Sequence, residues 1–311
     1  MTMWFVTKRL ATALAVVFVV ATLAFFLMNA VGDPATVQLG PQASAEQRAA
    51  YRRERGLDRP IAERYADFLR QSAKGDLGVS YRVEAPRVID VIAPRIPRTA
   101  LLGGLALCFE IILGLTVGVV AASRRKTWVD HSLMGGAFLG VSAPTFITGI
   151  VFLNVLAFSL GWFPVGGYGV TALDHVKHAV LPAFTLAIAG AASLARLVRS
   201  DMVETIALDH VRTARAKGLP WRTVIVRHVL RNALVSVATV VGMSVPMLVS
   251  GAIITEQIYG WPGVGRLAVE SISAGDTPVV LALVLLSSIA VQVGSFVADV
   301  TVSALDPRVR R

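Results

Sequence analysis

Six apolar runs, each near the length that crosses a bilayer, constrain this chain more than any other feature. They cover Leu10–Val31, Thr99–Ala122, Leu133–Leu160, Ala179–Leu197, Ala233–Ile254 and Pro278–Ala298. A hydrocarbon core about 30 Å thick takes roughly 20 helical residues. Composition agrees, since 55% of the 311 residues are hydrophobic and only 16% are charged, whereas soluble domains are about 25% charged. The expected fold class is all-α, a polytopic membrane protein with six transmembrane helices. The third run is long enough to tilt or break, and Pro144 and Gly149 are placed to supply a break. Lys8 and Arg9 before the first run mimic a secretory signal. That run is too long for a signal core, and Met28-Asn29-Ala30 is a poor cleavage site, so it is expected to remain as a span.

The net charge of +10 is read as topogenic, with lipid headgroups rather than nucleic acid as its partner. With a cytoplasmic N-terminus, the cytoplasmic segments carry Lys8 and Arg9, then Arg124, Arg125 and Lys126, then eight basic residues from Arg196 to Arg231, then Arg308, Arg310 and Arg311. The two short outer loops carry Lys177 and Arg266. Both termini are therefore expected in the cytoplasm. The resulting division is a cytoplasmic N-terminus and first span (1–31), an extracytoplasmic helical cap (32–98), a transmembrane core (99–298) holding a cytoplasmic loop (198–232), and a cytoplasmic tail (299–311).

The outer segment carries helix signals. Ser44-Ala45-Glu46-Gln47 matches a capping box, Gly56 a helix stop, and Pro60 the first turn of a second helix. That helix places Ile61, Tyr65, Phe68 and Leu69 on one face, and "GDLG" at Gly75–Gly78 reads as a turn. The segment reads as a small cap packed by its own aromatic stripe, or as a helical loop resting on the bilayer.

Chemistry-bearing residues are few. Glu110 lies inside a span, where a charge costs roughly 2.5–3.5 kcal/mol and must face protein or water or be protonated. It is either a pathway-lining or helix-pairing residue, or a buried, protonated or hydrogen-bonded glutamate with no transport role. Pro144 and Pro246 could break spans, and with Glu110 they are the candidates for the translocation pathway. One intramembrane carboxylate is thin equipment for a self-sufficient secondary carrier, the competing reading. There is no G-x-S-x-G, H-E-x-x-H or P-loop pattern, so no enzyme activity and no cofactor are expected on this chain. Cys108 has no disulfide partner, and His175 and His178 read as surface residues, so no metal is expected.

The cytoplasmic loop contains "VRTARAKGLP", Val211–Pro220. Asp209 can cap a short helix through His210–Lys217, Gly218 supplies a left-handed stop, and Pro220 starts another helix. Arg212 and Arg215 share a face, and Ala214 and Ala216 keep the element slim. Topology requires none of these stops and starts. A slim, basic, rigid knob suits insertion into a groove on a partner.

"VRTARAKGL" followed by "RHVLRNAL" at Arg227–Leu234 resembles the EAA loop of inner-membrane permease subunits of ATP-binding-cassette importers, in the dipeptide, oligopeptide and nickel branch. The Glu-Ala-Ala positions fall on Arg212, Thr213 and Ala214, and the motif glycine on Gly218. Further along the chain the resemblance includes "GDP" at Gly32–Pro34, with Val31 where the family usually has proline. It also includes "GLDRP" at Gly56–Pro60, "GDLGVS" at Gly75–Ser80, "RIPRTALL" at Arg95–Leu102, "TEQIYGWPGVGRLAVESI" at Thr255–Ile272 and "DPRVR" at Asp306–Arg310. Val302 stands where a tyrosine is often found.

The resemblance implies the fold of a type I importer permease in the bacterial inner membrane. It implies a homologous second permease, two ATPase subunits or domains that bind ATP and Mg²⁺, and an extracytoplasmic substrate-binding protein. It makes Arg212, Thr213, Ala214, Arg215, Ala216, Gly218 and Leu219 the ATPase-coupling element. The aromatics and glycines of "YGWPGVG" at Tyr259–Gly265 make Tyr259, Trp261 and Pro262 candidates for an outer gate or binding-protein contact, although an aromatic belt residue plus a turn explains them as well. Dipeptides, longer peptides, nickel chelates, glutathione and haem are all open as cargo.

Overall fold

The computed structural model describes residues 3–82 and 85–305, and the side chains of residues 3, 5, 31, 232, 235, 236, 239, 242–251, 298 and 301–305 lie outside that description. The closing "DPRVR" motif lies outside the described residues, as do the side chains of Pro246 and Val302. All regular elements among the described residues are helical. They are α1 (Met3–Val31), α2 (Pro34–Leu39), α3 (Ala45–Glu54), α4 (Ile61–Ala73), α5 (Val88–Ile92), α6 (Ile96–Ser123), α7 (Trp128–Ser142) and α8 (Thr145–Phe152). A π-helical stretch, Leu153–Ser159, continues α8. Then come α9 (Ala172–Ile206), α10 (Asp209–Ala216) and α11 (Trp221–Thr223), which leads through a π-helical stretch (Val224–Val229) into α12 (Leu230–Ile258). Helices α13 (Val264–Ser273) and α14 (Thr277–Leu305) complete the chain.

Four helical stretches among the described residues are long and apolar enough to cross a membrane: Val6–Ala30, Val88–Ser123, Ala172–Ile206 and Thr277–Val297. A fifth is the pair Trp128–Ser142 and Thr145–Ser159, bent by 105°. The bend falls at Pro144, where a break was expected. A proline drives the residue before it out of helical backbone, and Ala143 is extended at ψ 124°. The remaining expected span, Ala233–Ile254, coincides with α12.

The chain divides into two compact units, Met1–Thr99 with Pro262–Ala290, and Ala100–Trp261 with Val291–Arg311. In the first unit the expected capping box is formed: Ser44 Oγ accepts the Gln47 N–H at 3.1 Å, and Gln47 Oε1 accepts the Ser44 N–H at 2.8 Å. Gly56 follows α3 with φ +62°. Pro60 sits one residue earlier than expected, at the cap of α4. The stripe on α4 packs against α1 rather than on itself. Phe68 stacks on Phe25 at 5.4 Å, Tyr65 meets Phe26 at 5.3 Å, and the Tyr65 hydroxyl lies 2.7 Å from Thr22 Oγ1. Ile61 stays exposed. Helix α13, read as loop from the sequence, is amphipathic and buries Gly265, Leu267 and Ser271.

The second unit is organised by α9. Alanines at every fourth position, Ala179, Ala183, Ala187, Ala191 and Ala195, are all buried. Helix α6 approaches α9 through glycines. A Cβ at Gly114 would lie 2.7 Å from Leu194 Cδ2, and one at Gly118 2.7 Å from Val198 Cβ and 2.8 Å from the Ala195 carbonyl oxygen. Conversely, a Cβ at Gly190 would lie 2.5 Å from the Glu110 carboxyl carbon. The three contacts advance together along both helices, so α6 and α9 run parallel. Small residues allow this approach, and in lipid such packing holds helices together where the hydrophobic effect does not. Gly118→Ala should cost about 1–3 kcal/mol through overpacking, read as a lower thermal midpoint in detergent. Gly104→Ala, with open space around it, should leave that midpoint unchanged or raise it.

Candidate functional site

The knob in the loop is helix α10. Its cap is Leu208, in extended backbone and without a side-chain cap bond. Asp209 is therefore the first helical residue rather than the expected cap. Its carboxylate lies 3.6 Å from Arg212 with both groups exposed, a pairing that contributes little. The stop is as expected: Gly218 has φ +76°, the Gly218 N–H donates to Arg215 O at 2.9 Å, and the Lys217 N–H to Thr213 O at 3.0 Å. Pro220 caps α11 from the position before its first turn.

One face of α10 is anchored. Val211 and Ala214 are buried in a cluster with Leu194, Val198 and Met202 of α9 and with Val224, Ile225, Val229, Ala233 and Val237. Ala214 thus belongs to the seat of the knob and not to its outer surface. The opposite side presents Arg212, Thr213, Arg215, Ala216, Lys217, Gly218 and Leu219 to solvent. The Arg215 guanidinium lies 5.1 Å from the Trp221 ring centroid, a cation–π geometry that ties the knob to the next helix.

The other expected site residues fall elsewhere in the structure. Glu110 is 3% exposed and its carboxyl group sits against Gly190. Pro144 marks the α7–α8 bend. Pro246 lies in α12, with its side chain outside the described residues. Tyr259 and Trp261 are 2% and 0% exposed, which corrects the expectation of a contact surface. The Tyr259 hydroxyl bonds Thr185 Oγ1 at 2.9 Å and the Gly149 carbonyl at 3.1 Å. Trp261 packs with Leu102, Ala106, Ala179, Ala183 and Ala252, edge-on to Tyr168. Rings enclosed in this way hold a loop in place and have no surface to offer a partner. The Pro262 carbonyl accepts from Arg98 at 3.4 Å.

Several polar anchors were missed in the sequence. Helix α12 runs past the expected end of its span to Ile258, which makes Glu256 a second fully buried carboxylate. Asp130 is buried and receives Arg199 through two bonds, of 2.5 and 2.7 Å, joining α7 to α9. Asp276 is buried ahead of α14 and accepts the Ser80 hydroxyl at 2.6 Å and the Tyr81 N–H at 3.0 Å. One quoted motif and one unquoted pattern explain part of this. "GDLGVS" supplies Ser80, and the Gly-Asp-Thr-Pro at 275–278 is a helix-start pattern that was legible. "GDP" is another: Asp33 caps α2 and Pro34 is its first residue.

A family model for the binding-protein-dependent transport system inner membrane component matches residues 114–311, and the N-terminal membrane component of such systems matches residues 2–103. The chain belongs to this family. It is 34% identical over 311 residues to the oligopeptide transport system permease protein AppB of Bacillus subtilis, covering 98% of each chain. It is 36% identical over 307 residues to the glutathione transport system permease protein GsiC of Escherichia coli K12, again covering 98% of each. Its fold matches a chain of the MetNI methionine ABC transporter in an inward-facing conformation, with TM-score 0.59 and 17% identity, over 70% of this chain and 97% of that one. The chain is thus a permease subunit of an ABC importer, an inner-membrane component, and the secondary-carrier reading is set aside.

Asp33 lies outside the spans and gives a pH test. A hydrogen bond from Arg52 lowers its pKa, desolvation opposes that, and the Thr36 hydroxyl and Ala35 N–H lower it further. A depressed folded pKa contributes stability above the unfolded value of about 3.9 and loses it as pH falls through the folded pKa. Asp33→Asn should therefore lower the thermal midpoint at neutral pH, and the gap to the parent should close on acidification below pH about 4.

Proposed function

We propose that this chain forms half of the translocation pathway of an importer for small peptides and couples it to cytoplasmic ATPases through α10. The observation that carries the reading is the two-sided build of α10, with an exposed basic surface over an apolar seat on α9 and the start of α12. A knob fixed to two long helices can pass a push from a bound partner to those helices as a rigid body. The partners are a homologous second permease, two ATPase subunits or domains holding ATP and Mg²⁺, and an extracytoplasmic binding protein. This chain itself is non-catalytic and binds no cofactor.

The distribution of basic residues supports cytoplasmic termini and a cytoplasmic position for α10. Peptide cargo is favoured because both relatives are named for peptide-class substrates, an oligopeptide in one case and the tripeptide glutathione in the other. Nickel chelates and haem are the alternatives within the family.

Gly218 provides the test. A Cβ there meets open space, so a substitution acts through backbone conformation alone. A left-handed residue other than glycine costs roughly 1–2 kcal/mol, and asparagine tolerates it best. In the reconstituted complex, Gly218→Val should separate ATP hydrolysis from uptake while assembly is retained, and Gly218→Asn should transport nearly as the parent does. Normal uptake by Gly218→Val would remove the coupling assignment.

A further inference from the structure

We infer that the first unit holds a binding site for the headgroup of an anionic phospholipid. A cavity of about 250 Å³ lies among the C-terminal part of α1, helix α4, the Gly75–Gly78 turn and the first turns of α14. Its lining includes the apolar side chains of Phe25, Phe68, Leu281 and Leu285, three guanidinium groups, those of Arg55, Arg59 and Arg64, and the carboxylates of Asp67 and Asp76. Arg59 is neutralised by Asp67 at 2.8 Å and Glu63 at 3.2 Å.

Among the described residues, the other two arginines meet only neutral acceptors. Arg64 donates to Asn29 Oδ1 at 2.6 Å and meets the Tyr81 hydroxyl. Arg55 donates to the Ser80 carbonyl at 3.2 Å, while its Nε is buried without an acceptor. Of the nearby carboxylates, Asp76 accepts the Gly78 N–H at 2.9 Å, and Asp276 serves Ser80, Tyr81 and Arg82.

Half-buried guanidinium groups with neutral partners are suited to an anion, and their planar fork matches phosphate oxygens. Free phosphate would use only the basic part of the lining. The apolar part comes from α4 and from two helices able to span a membrane, so the complementary ligand has an anionic head joined to hydrocarbon. A phospholipid has that chemistry, and basic groups at a membrane surface attract anionic lipid.

The test uses the intact complex in detergent, with binding of phosphatidylglycerol and phosphatidylcholine followed by native mass spectrometry. Phosphatidylglycerol should bind in preference. Arg55→Gln with Arg64→Gln should weaken it about tenfold or more, and Arg53→Gln, at an exposed arginine of α3, should not. If the double variant does not assemble, Arg64→Gln should weaken binding where Arg64→Lys retains it. Equal binding of phosphatidylcholine, unchanged affinity in the glutamine variants, or inorganic phosphate binding as tightly as the lipid would each overturn the assignment.

Discussion

The close, glycine-mediated approach of α6 to α9 is the contact on which the second unit depends. Glu110, Gly114 and Gly118 on one helix meet Gly190, Leu194 and Val198 on the other. Apolar side chains gain nothing from leaving lipid for protein, so such helices are held by close packing and by the few polar groups between them. A glycine facing a leucine or a valine lets the backbones approach, and a glycine facing a glutamate leaves room to enclose a carboxylate that would be costly in hydrocarbon. The alanine ladder of α9 extends the same principle to its other neighbours.

This packing reaches the loop that holds α10 without a change of material. Leu194 and Val198, which fill the space opposite the α6 glycines, are also members of the cluster that seats Val211 and Ala214 of α10. A short helix is marginal alone, but α10 is held by its buried face, by the left-handed turn at Gly218 and by the stacking of Arg215 on Trp221. Its other basic residues, Arg212 and Lys217, face solvent.

The first unit is held by different means. Aromatic rings of α4 clasp α1, and Asp276 gathers the Ser80 and Tyr81 backbone region through buried hydrogen bonds. A buried carboxylate with several donors is costly to disrupt, because each donor loses its partner at once. The quoted motifs of this region are, in physical terms, helix caps and turns: Asp33 with Pro34, Ser44 with Gln47, and glycines with positive φ at 56, 75 and 78.

By itself the sequence determined what depends on local rules. Apolar run length gave the helices, the capping box and Gly218 gave helix ends, and Pro144 gave the break, because each of these is decided within a few residues. The quoted motifs were enough to place the chain in its family. Tertiary structure decided what depends on facing partners. Tyr259 and Trp261 look like surface aromatics until Thr185, Gly149 and the α9 alanines enclose them. Ala214 looks like part of a docking face until Val198 and Met202 cover it. Glu256, Asp130 and Asp276 look like ordinary acids near span ends, and only the fold shows them buried. Burial is a property of two surfaces, and a sequence displays one of them at a time.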